Sequence, residues 1–261
     1  MKRKPFIKSE LKLQMWFLGS LVSLVIHEEI LVRCNRWIKD HQKGYSIIVA
    51  NTHVLVEGRR NPAMRSAIDS ASLVIPDGMP LVVAARWKGF PLRARADGPG
   101  LMSKALSEEP YKHWRHFCLG STPEVLDALH VRYPDVNFVG FLSPPFRALA
   151  EAEDKAIVRE IDQAKPDVLW VGLGCPKQEL WMAEHKDRLH VPVMVGVGQA
   201  FELLAGVKSR APAWMQNSGL EWLYRLMQEP RRLWRRYLVS NTLFFYYLAA
   251  DALAGLVKPR A

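Results

Sequence analysis

The sequence predicts an α/β protein in which a mostly parallel sheet has helices on both faces, followed by a helical C-terminal appendage. Three observations predict this. Short apolar runs recur between residues 21 and 198, helical segments alternate with them, and no strand-like run follows about residue 207. Apolar runs that end in Gly, Asn or Pro-Asp are typical of strands buried on both faces, and their alternation with helices is typical of a parallel sheet.

The elements follow one another in a regular order. The predicted strands are 21–26, 45–51, 72–78, 116–120, 137–141, 167–174 and 191–198, and the clearest helices between them are 122–133 and 149–165. Pro123 stands at the first helical position of the former, which favours that start. The largely apolar stretch from Trp16 to Ile26 is shorter than the roughly 20 residues of a membrane-spanning helix, so we expect it to be a buried strand.

A change of pattern near residues 207–212 predicts two domains. Residues 1–207 form the predicted catalytic core, and residues 208–261 form the predicted helical appendage, with two or three helices broken at Gly219 and Pro230.

The excess charge lies at the two ends of the chain. The 261 residues carry a formal net charge of +10, of which residues 1–12 hold +4 and residues 208–261 hold +6, so the part between is neutral. Basic ends suit an anionic membrane surface, a nucleic acid or a phosphate-rich substrate, and solvated tails are the alternative. Three cysteines without CxxC spacing indicate neither a disulfide framework nor a zinc site, which fits a reducing cytoplasm.

Polar residues directly after the predicted strands are the first candidates for a binding site, because ligands of open parallel sheets lie beyond the carboxyl ends of the strands. They are Asn51, Asp77, Lys177, Gln178 and Glu179. Asp77 follows four apolar residues and Pro76, a position where partial desolvation would raise its pKa and suit it to accept a proton. The alternative is that Asp77 caps the helix beginning at Met79-Pro80.

The sequence lacks the motifs that are typical of several kinds of enzyme chemistry. The segments "GLGCPK" and "GVGQAF" lack the third glycine of a dinucleotide fingerprint, so no nicotinamide or flavin cofactor is predicted. Their glycines either let backbone N–H groups hold phosphate or only allow tight turns. No Asp-x-Asp or GxSxG is present, and "EAED" at 151–154 is better explained as a solvated helix face than as a metal cluster. We therefore expect metal-free chemistry based on a single carboxylate.

The stretch "QEPRRLWRRYL" at 228–238 concentrates cations and aromatic residues in one helix. A step of about 100° per residue groups the four arginines in one sector and the apolar residues 233, 234, 237 and 238 in the opposite one. That profile suits a helix in a membrane interface, a prediction that the following "LFFYYLAA" favours. A helix that docks its apolar sector on the core is the alternative.

Taken together, these residues resemble the WecG/TagA/CpsF family of bacterial glycosyltransferases. The resemblance runs from about residue 45 to 240 and rests on "NPAMRSAIDSASLVIPDGMPLVVAARWKG", "GLGCPKQELWM", "GVGQAFELLAG" and "RAPAWMQNSGLEWLYRLMQEPRRLWRRYL". It implies a Rossmann-like core and an inverting, metal-independent transfer from a UDP-sugar to a polyprenyl-diphosphate-linked saccharide. It further implies a peripheral position on the cytoplasmic face of the bacterial inner membrane, with the C-terminal helices closing over the site.

The resemblance also assigns site residues. It implies that Asp77 is the general base, that Asn51 and Arg95 lie in the active site, and that Gln178 lies near the donor. Arg225, Arg232 and Arg235 match arginines of the family's appendage, and with backbone N–H groups near Gly172 and Gly174 we expect them to stabilise the leaving diphosphate. Arg231, Trp234 and Arg236 are then expected to face the membrane. No metal and no cofactor are predicted.

Three departures from the family pattern lie near the expected sugar pocket. Val49 replaces a common threonine, "DGPG" at 97–100 replaces Gly-Thr-Asp after Arg95, and "GQAFE" brings Gln199 and Glu202. Glucose and an N-acetylhexosamine are thus equally compatible donor sugars, and an oligomeric state is not predicted. The alternatives from other classes are a basic nucleic-acid-binding module, which the many aromatic residues disfavour, and a nucleotide-dependent oxidoreductase, which the missing glycines disfavour.

Overall fold

A computed structural model describes residues 13–90, 92, 95–254 and 259–260, so the basic segment 1–12 lies outside the described residues. Its centre is a six-stranded sheet of order β4-β3-β8-β7-β5-β6 in which every pairing is parallel. The strands are β3 (Tyr45–Ala50), β4 (Leu73–Pro76), β5 (His116–Gly120), β6 (Phe138–Leu142), β7 (Val168–Gly172) and β8 (Val193–Gly196). The fold class predicted from the sequence is confirmed.

Helices cover both faces of this sheet. In chain order they are α1 (His27–Lys39), α2 (Thr52–Arg60), α3 (Pro62–Ser70), α4 (Met79–Trp87), α5 (Gly98–Ser107), α6 (Pro123–Arg132), α7 (Glu151–Ala164), α8 (Lys177–His185) and α9 (Ala200–Leu204). Side chains alternate along β3: Ile47 and Val49 pack with α1 and α5, whereas Ile48 and Ala50 pack with α2 and α3. Strands with two buried faces explain the continuous apolar runs of the sequence.

The N-terminal apolar segment differs from the predicted single strand. It forms a hairpin of β1 (Gln14–Phe17) and β2 (Ser20–Ser23), which pair antiparallel in a separate three-stranded sheet with β9 (Pro259–Arg260). The chain reverses at Leu18 and Gly19, both with positive φ. Arg65 of α3 holds the turn by donating to the Ser20 hydroxyl at 2.7 Å and to the Leu18 carbonyl at 2.5 Å. The prediction was wrong because composition alone does not distinguish one long strand from two short paired ones.

The C-terminal region contains three helices: α10 (Ala213–Asn217), α11 (Glu221–Gln228) and α12 (Pro230–Leu253). Gly219 has a φ of +78° between the first two, and Pro230 opens the third, as expected. The fully buried Phe244 of α12 packs into the same hydrophobic cluster as Leu55 of α2 and Leu81 of α4. The predicted core and the predicted appendage therefore share one hydrophobic cluster. Their division into two domains remains a prediction.

Polar contacts fix the rotation of α12 on α2. Thr52 donates to Asn241 at 2.9 Å, the His53 ring lies 3.0 Å from the Ser240 hydroxyl, and Arg59 pairs with Asp251 at 3.1 Å. With this rotation, the buried and exposed sides of α12 do not coincide with the apolar and cationic sectors of the helical wheel. Trp234 and Leu238 are 54% and 62% exposed, whereas one arginine, Arg236, is half-buried. Within the described residues, no helix combines the length and the apolar character needed to cross a membrane.

Candidate active site

Asp77 lies where β4 ends, partly buried at the carboxyl edge of the sheet. Its backbone N–H donates to the Ala50 carbonyl of β3 at 2.9 Å, which ties the two strand ends together. Gly78, with a φ of +103°, occupies the cap position of α4 and no side chain caps that helix. The capping alternative for Asp77 is therefore wrong, and its carboxylate remains available for chemistry.

The surroundings of Asp77 set its acidity. Burial raises its pKa to about 6, and Asp97 and Glu221 also raise it, while Arg95 and Arg225 oppose the rise. A carboxyl with this pKa is deprotonated near neutral pH yet more basic than an exposed aspartate, as a general base requires.

Arg95 joins Asp77 to the C-terminal helices. Its guanidinium pairs with Glu221 of α11, and its Nε lies 3.7 Å from Asp97. Desolvation disfavours its charge, but Asp77, Asp97 and Glu221 outweigh that effect and raise its pKa. Arg210 adds a bond of 2.7 Å to Asp97. This network connects β4, the start of α5 and α11 around the carboxylate.

Asp97 belongs to this network of charged side chains, although the sequence alone did not indicate a role for it. It caps α5 by accepting from the Gly100 N–H at 2.8 Å, and it is buried. The "DGPG" departure from the family pattern was a signal that could have identified Asp97, since this aspartate stands two residues after Arg95. Glu221 had no comparable signal, because its partner Arg95 is distant in sequence.

Asn51, at the end of β3, is the N-cap residue of α2. Its side-chain oxygen accepts from the N–H groups of His53 and Val54 at 3.0 and 3.1 Å, so it caps α2. Burial, reinforced by the Arg236 guanidinium, lowers the pKa of His53 to about 4, so that ring is neutral at physiological pH. The Asn51 side chain is partly exposed at the sheet edge that carries Asp77.

Gly172 and Gly174 serve different needs after β7. A Cβ at Gly172 would lie 2.6 Å from a Phe201 ring carbon, so close packing requires glycine there. Gly174 has a φ of +76° and open space around it. Gln178 is buried and accepts from the Gly198 N–H at 3.1 Å, which fastens α8 to the loop after β8. Close packing thus accounts for Gly172 and a tight turn for Gly174, and the Gly174 turn also leaves room for a ligand.

The structure separates the arginines of the C-terminal helices. Arg225 donates to Gln199 at the end of β8 and is one of the charges that act on Asp77. Arg231, Arg232 and Arg235 are exposed, and Arg232 pairs with Glu229 at 2.7 Å. Arg236 is half-buried, close enough to Cys175 and Glu179 to interact with them electrostatically. The wheel therefore misplaced Arg236, whereas Arg232 and Arg235 are exposed and are not among the charges that act most strongly on Asp77.

A cavity of about 720 Å³ opens beyond the carboxyl ends of β5 and β7. Its lining includes Gly172 and Trp181, the basic residues Lys155, Lys177 and Arg188, and the acidic residues Glu151, Asp154 and Glu184. Lys155 pairs with Glu151 at 2.5 Å and Arg188 with Asp154 at 2.9 Å, so the lining is of mixed charge around the Trp181 ring. Among the described residues, no group of three or more His, Cys, Asp or Glu side chains is placed to hold a metal ion.

Known proteins show the same relationship that the motifs imply. The profile described as the glycosyl transferase WecG/TagA/CpsF family matches residues 15–257. The chain is 34% identical over 207 residues to N-acetylglucosaminyldiphosphoundecaprenol N-acetyl-beta-D-mannosaminyltransferases of Staphylococcus aureus strains MW2 and NCTC 8325, covering 78% of this chain and 79% of each relative. The chain therefore belongs to the WecG/TagA/CpsF family of glycosyltransferases.

Proposed function

We propose that this glycosyltransferase moves a sugar, with inversion, from a UDP-sugar to a polyprenyl-diphosphate-linked saccharide. The observation that carries the proposal is Asp77: a partly buried, uncapped carboxylate with a pKa raised to about 6, at the sheet edge where ligands of parallel sheets bind. Because the chain belongs to a glycosyltransferase family, we do not propose the nucleic-acid-binding or oxidoreductase alternatives.

The reaction is a direct displacement. Asp77 takes the proton from the acceptor hydroxyl while that oxygen attacks the anomeric carbon, and UDP leaves from the opposite side, which inverts the centre. Arg95 acts on Asp77 electrostatically but is paired with Glu221, so it limits the rise of the Asp77 pKa without forming an ion pair with that carboxylate. No metal is required in this proposal because cationic side chains stabilise the departing diphosphate.

The cavity supports a nucleotide-linked donor. Its volume of about 720 Å³ suits a nucleoside diphosphate, with Lys177 and the Trp181 ring as the lining groups that would contact phosphate and base. Gly172 and Leu173, next to the turn that leads into α8, are among its lining residues. The diphosphate would then lie between the cavity and Asp77.

The exposed surface of the C-terminal helices supports a lipid-linked acceptor. Large apolar side chains there are solvent-exposed in the chain alone: Trp214 at 64%, Met227 at 72%, Trp234 at 54% and Leu238 at 62%. Arg231 and Arg235 lie on the same exposed side of α12. Aromatic residues mixed with arginines suit the headgroup region of an anionic membrane. We propose peripheral binding at the cytoplasmic face.

Two nucleotide sugars are the candidate donors for this protein. The staphylococcal relatives are named as N-acetylmannosaminyltransferases acting on an N-acetylglucosaminyl diphosphoundecaprenol, and these substrates are the first pair to test. UDP-glucose is the second donor, because Val49, Gln199 and Glu202 depart from the family pattern near the site.

The test is a transfer assay in vesicles that contain polyprenyl-diphosphate-N-acetylglucosamine, with product mass as readout. Asp77→Asn should lower turnover by about 10²- to 10⁴-fold, the usual contribution of a general base, while UDP affinity stays near that of the wild type. Asp69→Asn, an exposed carboxylate of α3, is the matched control. Turnover of Asp77→Asn within threefold of the control would refute the assignment.

The pH profile provides a second readout. The raised pKa of about 6 means that Asp77 is protonated and inactive at low pH, so kcat/KM should rise with pH through about 6 and then level off. A profile that is flat between pH 5 and 8 would contradict a base of this acidity.

A further inference from the structure

Asp77, the candidate base, has a cation beside it but no ion-pair partner. The backbone N–H of Ala96 donates to the Pro76 carbonyl at 2.8 Å, which fixes the segment that carries Arg95 next to the end of β4. Among the described residues, the Asp77 carboxylate forms no hydrogen bond or ion pair, and Arg95 acts on it through its charge alone. Of the charges that raise the pKa of Arg95, that of Asp77 is the largest. The structure therefore keeps apart two groups that attract each other.

Glu221, the first residue of α11, holds Arg95 in this position. The Arg95 guanidinium donates to Glu221 Oε2, and both side chains are largely buried. A carboxylate of the C-terminal helices thus engages the cation that could otherwise pair with Asp77. An ion pair would lower the pKa of the Asp77 carboxyl and would occupy an oxygen that has to receive the proton of the acceptor hydroxyl.

Arg210 and Asp97 close the network on its other side. Arg210 donates to Asp97 Oδ1 at 2.7 Å, and its Nε lies 3.8 Å from Glu221 Oε1. Asp97 Oδ2 lies 3.7 Å from Arg95 Nε. Two arginines and two carboxylates therefore alternate in a closed ring in which the charges balance. Because poorly solvated charges are stable only when they are paired, loss of one member leaves its neighbours without a partner.

The two carboxylates of the ring come from different parts of the chain. Asp97 is fixed to the core, since its Oδ1 also accepts from the Gly100 N–H at 2.8 Å. Glu221 belongs to α11, and a Cβ at Gly219, in the turn before that helix, would lie 2.9 Å from Met79 Cγ at the start of α4. The ring is thus complete only while α11 is packed on the core beside Asp77.

We propose that Glu221 is a positioning residue that holds the Arg95 guanidinium away from Asp77, so that Asp77 is a free base only while α11 is packed on the core. This rests on the proposed function, in which Asp77 takes the proton of the acceptor hydroxyl. The C-terminal helices then supply a carboxylate that the reaction requires, in addition to any contact that they make with a substrate or a membrane.

The groups that act on Asp77 come from three parts of the chain: Asp97 and Arg95 before α5, Glu221 and Arg225 on α11, and Tyr237 on α12. Burial and the two carboxylates raise the pKa of Asp77, and the two arginines lower it. Removing the Glu221 charge has two effects in one direction, because a group that raises this pKa is lost and Arg95 is released. Removing the Arg210 charge has the opposite effect, because it leaves Asp97 uncompensated.

The experiment compares the pH dependence of kcat/KM in full-length variants, using vesicles with polyprenyl-diphosphate-N-acetylglucosamine and UDP-N-acetylmannosamine or UDP-glucose as donor. Glu221→Gln should move the rise of kcat/KM from about pH 6 to a pH about one to three units lower. Its plateau should fall at least about tenfold, because a paired carboxylate is a weaker base. Arg210→Gln should move the rise by a smaller amount towards higher pH.

Asp251→Asn is the matched control. It also removes a buried carboxylate of the C-terminal helices that pairs with an arginine of the core, Arg59, but Asp251 is not among the charges that act most strongly on Asp77. The rise of kcat/KM should therefore stay at the wild-type pH in this variant.

A merely structural role of Glu221 would lower turnover without moving the rise, and that result would overturn the proposal. An equal movement in Asp251→Asn would overturn it as well. If Glu221→Gln does not fold, Arg210→Gln decides, since Arg210 is the most exposed member of the ring: an unmoved rise, or one moved to lower pH, contradicts the proposal. A wild type whose kcat/KM does not rise with pH, or an Asp77→Asn variant with wild-type turnover, would instead refute the proposed function.

Discussion

Two amphipathic helices of this protein are built on opposite plans. On α7 the buried residues are Ile157 and Ile161, and the outer face is charged, with Glu153 paired to Arg147. On α12 the buried residues include Ser240 and Asp251 as well as Leu233 and Phe244. Its outer face exposes aromatic and aliphatic side chains, among them Phe245 at 55% and Tyr246 at 65%.

The difference indicates what each helix contacts on its outer side. A charged outer face is stable in water, as on α7. An aromatic outer face leaves apolar area in water that a less polar surface would cover favourably. The buried polar groups of α12 meanwhile position the helix, because each has a specific partner on α2. The helix is thus held in place on its inner side, and its apolar outer side is the surface that the proposed membrane contact would cover.

The largest expected effect concerns the inner faces, where the two helices should behave alike. Phe244→Ala should lower the free energy of unfolding by about 3–5 kcal/mol and Ile161→Ala by about 2–5 kcal/mol, because both remove fully buried apolar side chains. Urea denaturation followed by circular dichroism measures both. A loss below about 1 kcal/mol for Phe244→Ala alone would mean that α12 is not part of the common core in solution.

The outer faces should differ. Replacing both Trp234 and Leu238 by serine should weaken binding to anionic vesicles by about 2 kcal/mol or more, given about 1.5–3 kcal/mol for full burial of one such side chain. Co-sedimentation measures the partition. Val131→Ser, which alters a side chain of α6 that is 76% exposed, should bind like the wild type. Equal partitioning of the double variant and this control would remove the membrane role of the outer face.

The smallest effect concerns the ion pairs. Asp251→Asn should cost about 1–2 kcal/mol of stability, less than full loss of a buried pair, because Arg59 is 36% exposed and screened. Glu153→Gln on α7 should leave the unfolding midpoint nearly unchanged, since both members of its pair are solvent-exposed. If the two variants behave alike in thermal unfolding, the Arg59–Asp251 pair does not hold α12 in place.

The sheet strands could be predicted because burial on both faces leaves an unbroken apolar run, as in "YSIIVAN". The breaks at Gly219 and Pro230 could be predicted because backbone chemistry is local. The β1–β2 hairpin was missed because the turn at Leu18 is stabilised by Arg65, which lies 47 residues away. Glu221 was missed for the same reason, since its meaning comes from Arg95, 126 residues earlier.

The sequence by itself determined the fold class, the candidate base Asp77 and the family, because each depends on short segments whose pattern is sufficient. Only the tertiary structure decided which arginine of "QEPRRLWRRYL" faces inward. Helical geometry fixes the angles between side chains, but not the direction in which the helix as a whole is turned. That direction is set by Phe244, Ser240 and Asp251 and by their partners on distant elements, and it turns Arg236 towards the candidate active site.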